Sequence, residues 1–196
     1  MIGLIGDEYD LIKVFDFNGD KIKEIKEQYN IYFIDTYYDK TLSKNYIIIG
    51  NEFDIKTYDY NENKLYHKYE DIYSHKSIII NDKEKIIKLI DSSDSGYISI
   101  WNFHSGELLK EILINDANIC GICLWNNEYL FVGCDANESY SSIKLVNLTK
   151  SKVVKVLETN SFVTIKKIKH PKYGECLISQ GLWGAQITLF LNKNNM

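Results

Sequence analysis

Residues 98–102 carry the sequence Ile98-Ser99-Ile100-Trp101-Asn102, and the same pattern occurs five times along the chain. The first residue is Ile in every copy, the fourth is aromatic in four copies, and the fifth is Asp or Asn in four. The other copies are Ile12-Lys13-Val14-Phe15-Asp16, Ile55-Lys56-Thr57-Tyr58-Asp59, Ile143-Lys144-Leu145-Val146-Asn147 and Ile187-Thr188-Leu189-Phe190-Leu191. Successive copies start 43 to 45 residues apart, a period typical of repeat proteins.

Further strand-like segments surround each copy. A turn rich in Asn or Gly and another strand follow the motif, as at residues 18–21. An apolar strand precedes it, as at residues 46–50, and an earlier strand lies before that, as at residues 31–37. Four short strands in each repeat predict the blades of a β-propeller. Apolar residues occur on both strand faces, as expected when each sheet packs between two others.

Composition and charge favour a globular all-β protein and argue against polyanionic ligands. The chain has 196 residues, of which 45% are hydrophobic and 13% aromatic, and its frequent Tyr and Ile favour strands. Its net charge is −4, and the sequence contains no arginine. Bidentate recognition of phosphate or guanine is therefore largely closed to it, and we expect no binding to nucleic acid or membrane.

The N-terminus and the cysteines point to a reducing compartment. The first residues lack the basic lead of a signal peptide, and no apolar run is long enough to cross a bilayer. We therefore expect a cytoplasmic protein, with the nucleus as a second possibility, and reduced cysteines. Cys120 and Cys123 form a CxxC pair, but the flanking residues read as a strand, so we interpret the pair as part of the core.

The third copy resembles a WD40 repeat. The segment from Asp94 to Asn102 is similar to the SxDGxIxxWD core of that family, and His75 lies where the family's Gly-His dipeptide falls. The resemblance covers residues 3–192, although Trp occurs at the family position only in this copy and is never followed by Asp. It implies a WD40-like β-propeller with about four to five blades of four antiparallel strands. It also implies a structural hydrogen-bond network, formed by His75, Ser92, Asp94 and Trp101.

We predict a single β-propeller domain over residues 1–196, with repeats at roughly 1–26, 27–70, 71–114, 115–158 and 159–196. In WD40 order, with strand a innermost and strand d outermost, the chain begins at strand b and ends after strand c. Rings of this family usually have about seven blades, so we predict an open or partial ring. Three explanations stay open: a fragment, a ring completed by a second chain, or a small distorted propeller.

The resemblance implies a non-catalytic scaffold for protein–protein interaction. The loops that join strand b to c and strand d to a lie at one end of such a ring, and here they are rich in carboxylates and aromatic residues. We expect this acidic end to bind a basic peptide or protein tail. A purely local role of the carboxylates in turn formation stays open. The candidate contact residues are Asp7, Tyr9, Asp10, Glu52, Phe53, Asp54, Tyr97, Tyr140 and Trp183.

The alternative function is a propeller-borne, hydrolase-like enzyme with a site at the channel mouth. The four histidines form no HxH or HExxH motif, and the sequence has no glycine-rich phosphate loop. No Asp-x-Asp-x-Asp series indicates a calcium site. We therefore predict that the protein has no catalytic residues, metal site or cofactor.

Overall fold

The computed structural model describes residues 3–6, 10–70, 74, 76–81, 86–93, 95–114, 118–134, 141–159, 164–181 and 184–186. Every helix or strand assigned within these ranges is a β-strand. The strands are β1 (Gly3–Gly6), β2 (Leu11–Phe15), β3 (Lys21–Lys26), β4 (Ile31–Asp39), β5 (Lys44–Asn51), β6 (Ile55–Asp59), β7 (Lys64–Tyr69), β8 (Lys76–Asn81), β9 (Ile87–Ser92), β10 (Tyr97–Asn102), β11 (Leu108–Leu113), β12 (Ile119–Asn126), β13 (Tyr129–Cys134), β14 (Ser141–Asn147), β15 (Lys152–Thr159), β16 (Thr164–His170), β17 (Gly174–Gly181) and β18 (Gly184–Gln186).

These strands form antiparallel sheets in which each strand pairs with its neighbours in sequence. Sheet 1 contains β1 to β3, sheet 2 contains β4 to β7, sheet 3 contains β8 to β11, sheet 4 contains β12 to β15, and sheet 5 contains β16 to β18. Four consecutive antiparallel strands are the unit of a propeller blade. The predicted all-β fold with four-stranded antiparallel sheets is therefore confirmed.

The chain divides into two compact units. The first unit is Met1–His75 together with His104–Gly106, and the second is Lys76–Phe103 together with Glu107–Met196. The first unit thus holds sheets 1 and 2 and the turn between β10 and β11, while the second holds sheets 3, 4 and 5. The single domain and the incomplete ring stay predictions.

Aliphatic side chains from facing sheets form the core of each unit. In the first unit, Ile12 and Val14 of β2 are buried with Ile47 and Ile49 of β5. Their spacing follows the two-residue alternation of a strand. In the second unit, Ile98 of β10 and further residues of sheets 3 and 4 share one buried cluster. The apolar strands of the repeat therefore form the core, and the turns are the segments available for contacts with other molecules.

The last strand of sheets 1 to 4 carries a β-bulge at the same position. In sheet 1, Val14 pairs with Lys23 and Phe15 pairs with Lys21, so Ile22 has no partner on β2. The bulged residues of sheets 2, 3 and 4 are Tyr66, Leu109 and Val154. A bulge bends its strand and changes the direction of the extra side chain. The position recurs with the period of the sequence, although the residue type differs in every copy.

The residue that follows the bulge contacts the turn after the third strand of another repeat. The three pairs are Lys23 with Tyr60, His67 with His104, and Lys110 with Leu148. In each pair the acceptor is a backbone carbonyl oxygen. The Nζ of Lys110, for example, lies 3.0 Å from the carbonyl oxygen of Leu148. A backbone acceptor does not depend on the side chain, so this contact tolerates the sequence differences between repeats.

Lysines of the repeated motif make a second set of contacts between sheets. The Nζ of Lys56 lies 2.6 Å from Oε2 of Glu27, and the Nζ of Lys144 lies 2.9 Å from the carbonyl oxygen of Ile114. Both lysines follow the first Ile of the motif, and both acceptors belong to the residue after the last strand of the preceding sheet. Part of the chain's cationic charge therefore holds sheets together.

Candidate functional site

Five of the nine candidate contact residues lie in the part of the chain that the structure describes. Asp10, Glu52, Phe53 and Asp54 belong to the first unit, and Tyr97 belongs to the second. The other four, Asp7, Tyr9, Tyr140 and Trp183, lie outside the described residues. The surface that can be built from side-chain geometry is therefore the one around the turn between β5 and β6.

The turn between β5 and β6 is held by Asn51. Its Oδ1 accepts hydrogen bonds from the backbone N–H groups of Phe53 at 2.8 Å and Asp54 at 3.0 Å. Its Nδ2 donates to Oδ1 of Asp54 at 2.6 Å, and its backbone N–H donates to the carbonyl oxygen of Asp54 at 3.0 Å. Asn and Asp favour turns because their short side chains bond the local backbone in this way. The turn therefore buries Asp54 and leaves Phe53 47% exposed.

An aromatic pair projects from this turn. The ring of Phe53 lies 4.4 Å from the ring of Tyr29, centroid to centroid, at an interplanar angle of 59°. Tyr29 comes from the segment between β3 and β4. The start of the turn is packed tightly, since a Cβ on Gly50 would lie 1.9 Å from the ring of Phe33. The ring pair of Tyr29 and Phe53 is therefore an apolar surface carried by a tightly packed turn.

Glu27, two residues before Tyr29, is buried, and both of its carboxylate oxygens have partners. Its buried carboxylate lies 2.6 Å from the Nζ of Lys56 and accepts a hydrogen bond of 2.7 Å from the hydroxyl of Tyr58. Burial raises the pKa of Tyr58, and the bond to Glu27 raises it further. The carboxylate is therefore a structural group that joins sheets 1 and 2, and its charge is compensated locally.

Asp54 is compensated in the same way. The Nζ of Lys68 lies 3.2 Å from its Oδ2, and the Nζ of Lys56 lies 3.9 Å from its Oδ1. The two lysines lie on β6 and β7, so a count of charges in the loops alone does not include them. A signal existed: Lys56 and Lys68 are direct cross-strand neighbours, and such like charges are unfavourable unless carboxylates lie close by.

The remaining candidates differ in their surroundings. Asp10 is partly buried with a φ of 59°, and its carbonyl oxygen accepts a 2.7 Å hydrogen bond from the backbone N–H of Glu27. Glu52 is partly exposed beside Phe53. Tyr97 is 36% exposed at the start of β10. We call Tyr29, Glu52 and Phe53 the aromatic rim, because these three combine an accessible carboxylate residue with the ring pair.

Trp101 bonds to Asp91, a residue that is not a member of the network that the family resemblance implies. Its indole N–H donates to Oδ2 of Asp91 at 2.7 Å, and both residues are buried. Ser92 donates from its Oγ to the carbonyl oxygen of Lys76 at 3.3 Å. Two members of the predicted network, His75 and Asp94, lie outside the described residues, so the four-membered network stays a prediction.

A carboxylate, an imidazole and a phenol form a chain in the first unit. His104 Nε2 lies 3.1 Å from Oδ2 of Asp39, and its Nδ1 lies 3.0 Å from the hydroxyl of Tyr66. Burial acts to raise the pKa of Asp39, but hydrogen bonds from Thr41 and the nearby His104 hold it below its usual value. The ring of Tyr46 packs against Tyr66 at 4.8 Å, so the phenol end of the chain is held by a neighbouring aromatic ring. We therefore interpret this cluster as a structural lock for the turn that carries His104.

Metal-binding clusters and membrane helices are absent from the described ranges. Within them, no group of three or more His, Cys, Asp or Glu side chains is placed to hold a metal ion. No described segment forms a helix with the length and hydropathy needed to span a bilayer. All four cysteines lie in described strands as free thiols, with Cys123, Cys134 and Cys176 buried and Cys120 partly exposed.

The fold is similar to that of a solved WD40 propeller. The WD40 β-propeller domain of Doa1 matches with a TM-score of 0.75 at 12% sequence identity, and the match covers 98% of this chain and 62% of that chain. The chain therefore spans less than two thirds of that solved chain. No protein-family model and no curated protein sequence matches it. At this identity the comparison shows the fold alone: an all-β, propeller-like fold of the WD40 kind.

Proposed function

We propose that the chain is a non-catalytic protein-interaction module whose aromatic rim binds a basic segment of a partner protein. A WD40-like propeller is a kind of fold that commonly serves as an interaction scaffold, and its turns are its contact regions. The observation that carries the proposal is the exposed ring of Phe53, which packs at a tilt against the ring of Tyr29 and stands on the turn that Asn51 holds. A large apolar ring held in one orientation loses little conformational entropy on binding.

The local charges favour a cation as the group that contacts the rings. Lys56 and Lys68 are already paired with Glu27 and Asp54, which leaves Glu52 as the accessible carboxylate beside Phe53. A Lys or Arg side chain of the partner can lie over the aromatic pair and direct its charge toward Glu52. The recognition is therefore mainly aromatic, with a smaller contribution from charge than the loop sequences suggested.

The test is quantitative capture of partners by the full chain and two matched variants. Phe53→Ala removes the ring of the rim, and Phe17→Ala removes a ring that is 77% exposed on the turn between β2 and β3 of the same unit. Truncating a central aromatic contact typically costs about 2 kcal/mol, or roughly thirtyfold in affinity. We expect Phe53→Ala to lose its specific partners and Phe17→Ala to keep them.

A zero-length carbodiimide cross-link then identifies the contacting segment. We expect Glu52 to be joined to lysines within a basic stretch of each captured partner, and we expect raised salt to weaken capture only moderately. Equal capture by the wild type and Phe53→Ala would refute the proposal. Cross-links from Glu52 to segments without surplus basic charge would refute its basic-partner component.

A further inference from the structure

The second unit contains a cleft of about 640 Å³ between sheets 3 and 4. Buried Ile80, Ile90 and Ile100 form its apolar floor. Two lysines and one carboxylate line it as well: Lys88, Lys110 and Glu128. Its volume lies within the range of about 300 to 1,000 Å³ that is usual for ligand sites.

Two substitutions within the repeat explain why a cleft exists here. Lys88 pairs with Asn102, the fifth residue of the motif, and the residue at the same register in sheet 2 is Tyr46, which pairs with Asp59. The bulged residue of β11 is Leu109, whereas that of β7 is Tyr66. In sheet 2 the two tyrosine rings pack together, 4.8 Å apart. In sheet 3 the smaller Leu and the flexible Lys leave this space open.

The bulge also explains how the cleft joins apolar and cationic groups. At a bulge two successive side chains can point to one side of the strand, and both Leu109 and Lys110 line the cleft. Lys110 is fixed by its hydrogen bond of 3.0 Å to the carbonyl oxygen of Leu148. Glu128 accepts a 2.9 Å hydrogen bond from Nδ2 of Asn147. The lining therefore carries two lysines and one carboxylate beside an apolar floor.

We propose that this cleft binds a segment of a partner protein in which an apolar side chain stands next to a carboxylate. The apolar side chain lies on Ile90 and Ile100, and the carboxylate pairs with Lys88 and Lys110. The exposed apolar surface continues along β11, where Leu108 is 41% and Leu109 is 40% exposed, so a peptide can cover more of it than a small molecule. β11 is also the outermost strand of sheet 3, and such a strand offers backbone groups to a peptide.

The test is selection from a random peptide library displayed on phage, with the full chain as bait. Selected peptides are synthesised with a fluorescent label and their Kd values are measured by anisotropy. We expect an apolar residue adjacent to Asp or Glu, and a loss of up to about fivefold when that carboxylate is replaced by the amide. Decanoate, tested in parallel, carries the same chemistry without a peptide backbone.

Variants that reproduce sheet 2 provide the decisive comparison. Lys88→Tyr combined with Leu109→Tyr places the two rings of sheet 2 into sheet 3, and we expect at least about tenfold weaker peptide binding because the apolar floor is covered. Lys88→Glu should weaken binding more than Lys88→Gln does. Lys166→Gln, at an exposed position of β16, and Phe53→Ala, in the aromatic rim, should leave the Kd unchanged.

Several results would overturn the proposal. These are the absence of any selected peptide, a selected motif that is neutral or basic, and binding of decanoate without binding of peptides. If the double variant is folded by its circular dichroism spectrum and binds as tightly as the wild type, the cleft is not the site. If it does not fold, an unchanged Kd for Lys88→Glu overturns the proposal instead. The cleft shares no residue with the aromatic rim, so failure of either proposal is distinguishable from failure of the other.

Discussion

Replacing Gly50 by alanine should destabilise the chain through a single steric contact. The added Cβ would lie 1.9 Å from Cε1 and 2.5 Å from Cδ1 of Phe33, far inside van der Waals contact. Phe33 is itself buried, so its ring must move into an occupied region of the sheet. Overpacking of this kind costs about 1 to 3 kcal/mol. With a urea m-value of about 2 kcal/mol/M, we expect the unfolding midpoint to fall by roughly 1 M.

A double-mutant cycle isolates the contact. Phe33→Leu shortens the side chain that the new methyl group meets, so Gly50→Ala should cost about 1 to 2 kcal/mol less in that background. Gly19→Ala is the matched control, since Gly19 has a φ of +86° and nothing within 4 Å of its added Cβ. It should cost about 1 kcal/mol through backbone strain alone, whether or not Phe33 is present.

Urea unfolding followed by tryptophan fluorescence and by circular dichroism checks this prediction, with coincidence of the two transitions as the condition for using free energies. If the costs of Gly50→Ala and Phe33→Leu add within about 0.5 kcal/mol, the two residues are not in the contact that the structure describes. The close approach of Phe33 to the turn of the aromatic rim would then be wrong.

Three further predictions concern buried polar groups. Trp101→Phe removes the donor to Asp91 and should cost about 1.5 to 3 kcal/mol in urea unfolding, more than Asp91→Asn, which keeps an acceptor; equal costs would contradict the bond. The pKa of Asp39 is lowered on folding, so its stabilising effect is complete above about pH 4 and is lost as the pH falls through the folded pKa. Below about pH 4 the thermal midpoint of Asp39→Asn should therefore decline less than that of the wild type. Parallel curves of thermal midpoint against pH would contradict this prediction. Burial raises the pKa of Cys134 to about 11, which leaves on the order of one thiolate in a thousand at pH 8. Mass spectrometry should therefore find iodoacetamide on the partly exposed Cys120 before it appears on Cys134. The reverse order would contradict the burial of Cys134.

The sequence was sufficient to place the strands because the relevant signals are local. The apolar run predicted as a strand at residues 46–50 lies within β5, and the segment predicted at 31–37 lies within β4. Both were visible from strand-forming residues bounded by turns. The repeat period then grouped the strands into sheets of four, since antiparallel neighbours in sequence pair through short turns.

The bulges could not be predicted in the same way. They are features of strand register, and Ile22, Tyr66, Leu109 and Val154 share no residue type that marks the position. Register depends on how two strands fit together, which a single sequence specifies only weakly. The cleft of sheet 3 follows from a bulge and therefore was not foreseen either.

The charge of the candidate site depends on strand residues as well as on loop residues. Counting charges in the loops identified Glu52 and Asp54 but ignored the lysines of β6 and β7, which extend along their strands to Asp54 and Glu27. The hydrogen-bond partner of Trp101 could have been predicted from the sequence. Asp91 pairs with Ser99 of β10, and Trp101 lies two residues after Ser99, so the side chains of Asp91 and Trp101 lie on the same face of the sheet. The alternation of side chains along paired strands therefore places Asp91 within reach of Trp101.

The recurring bulge leaves one side chain in each of four sheets outside the one-to-one pairing of the strands. The strand ladder therefore places little demand on its identity, and in sheet 3 this residue, Leu109, lines the cleft. A protein engineer could randomise these four codons together with the residues at the register of Tyr46 and Lys88. Such a library would vary the side chains at the bulges and beside them while leaving the pairing of the strands unchanged.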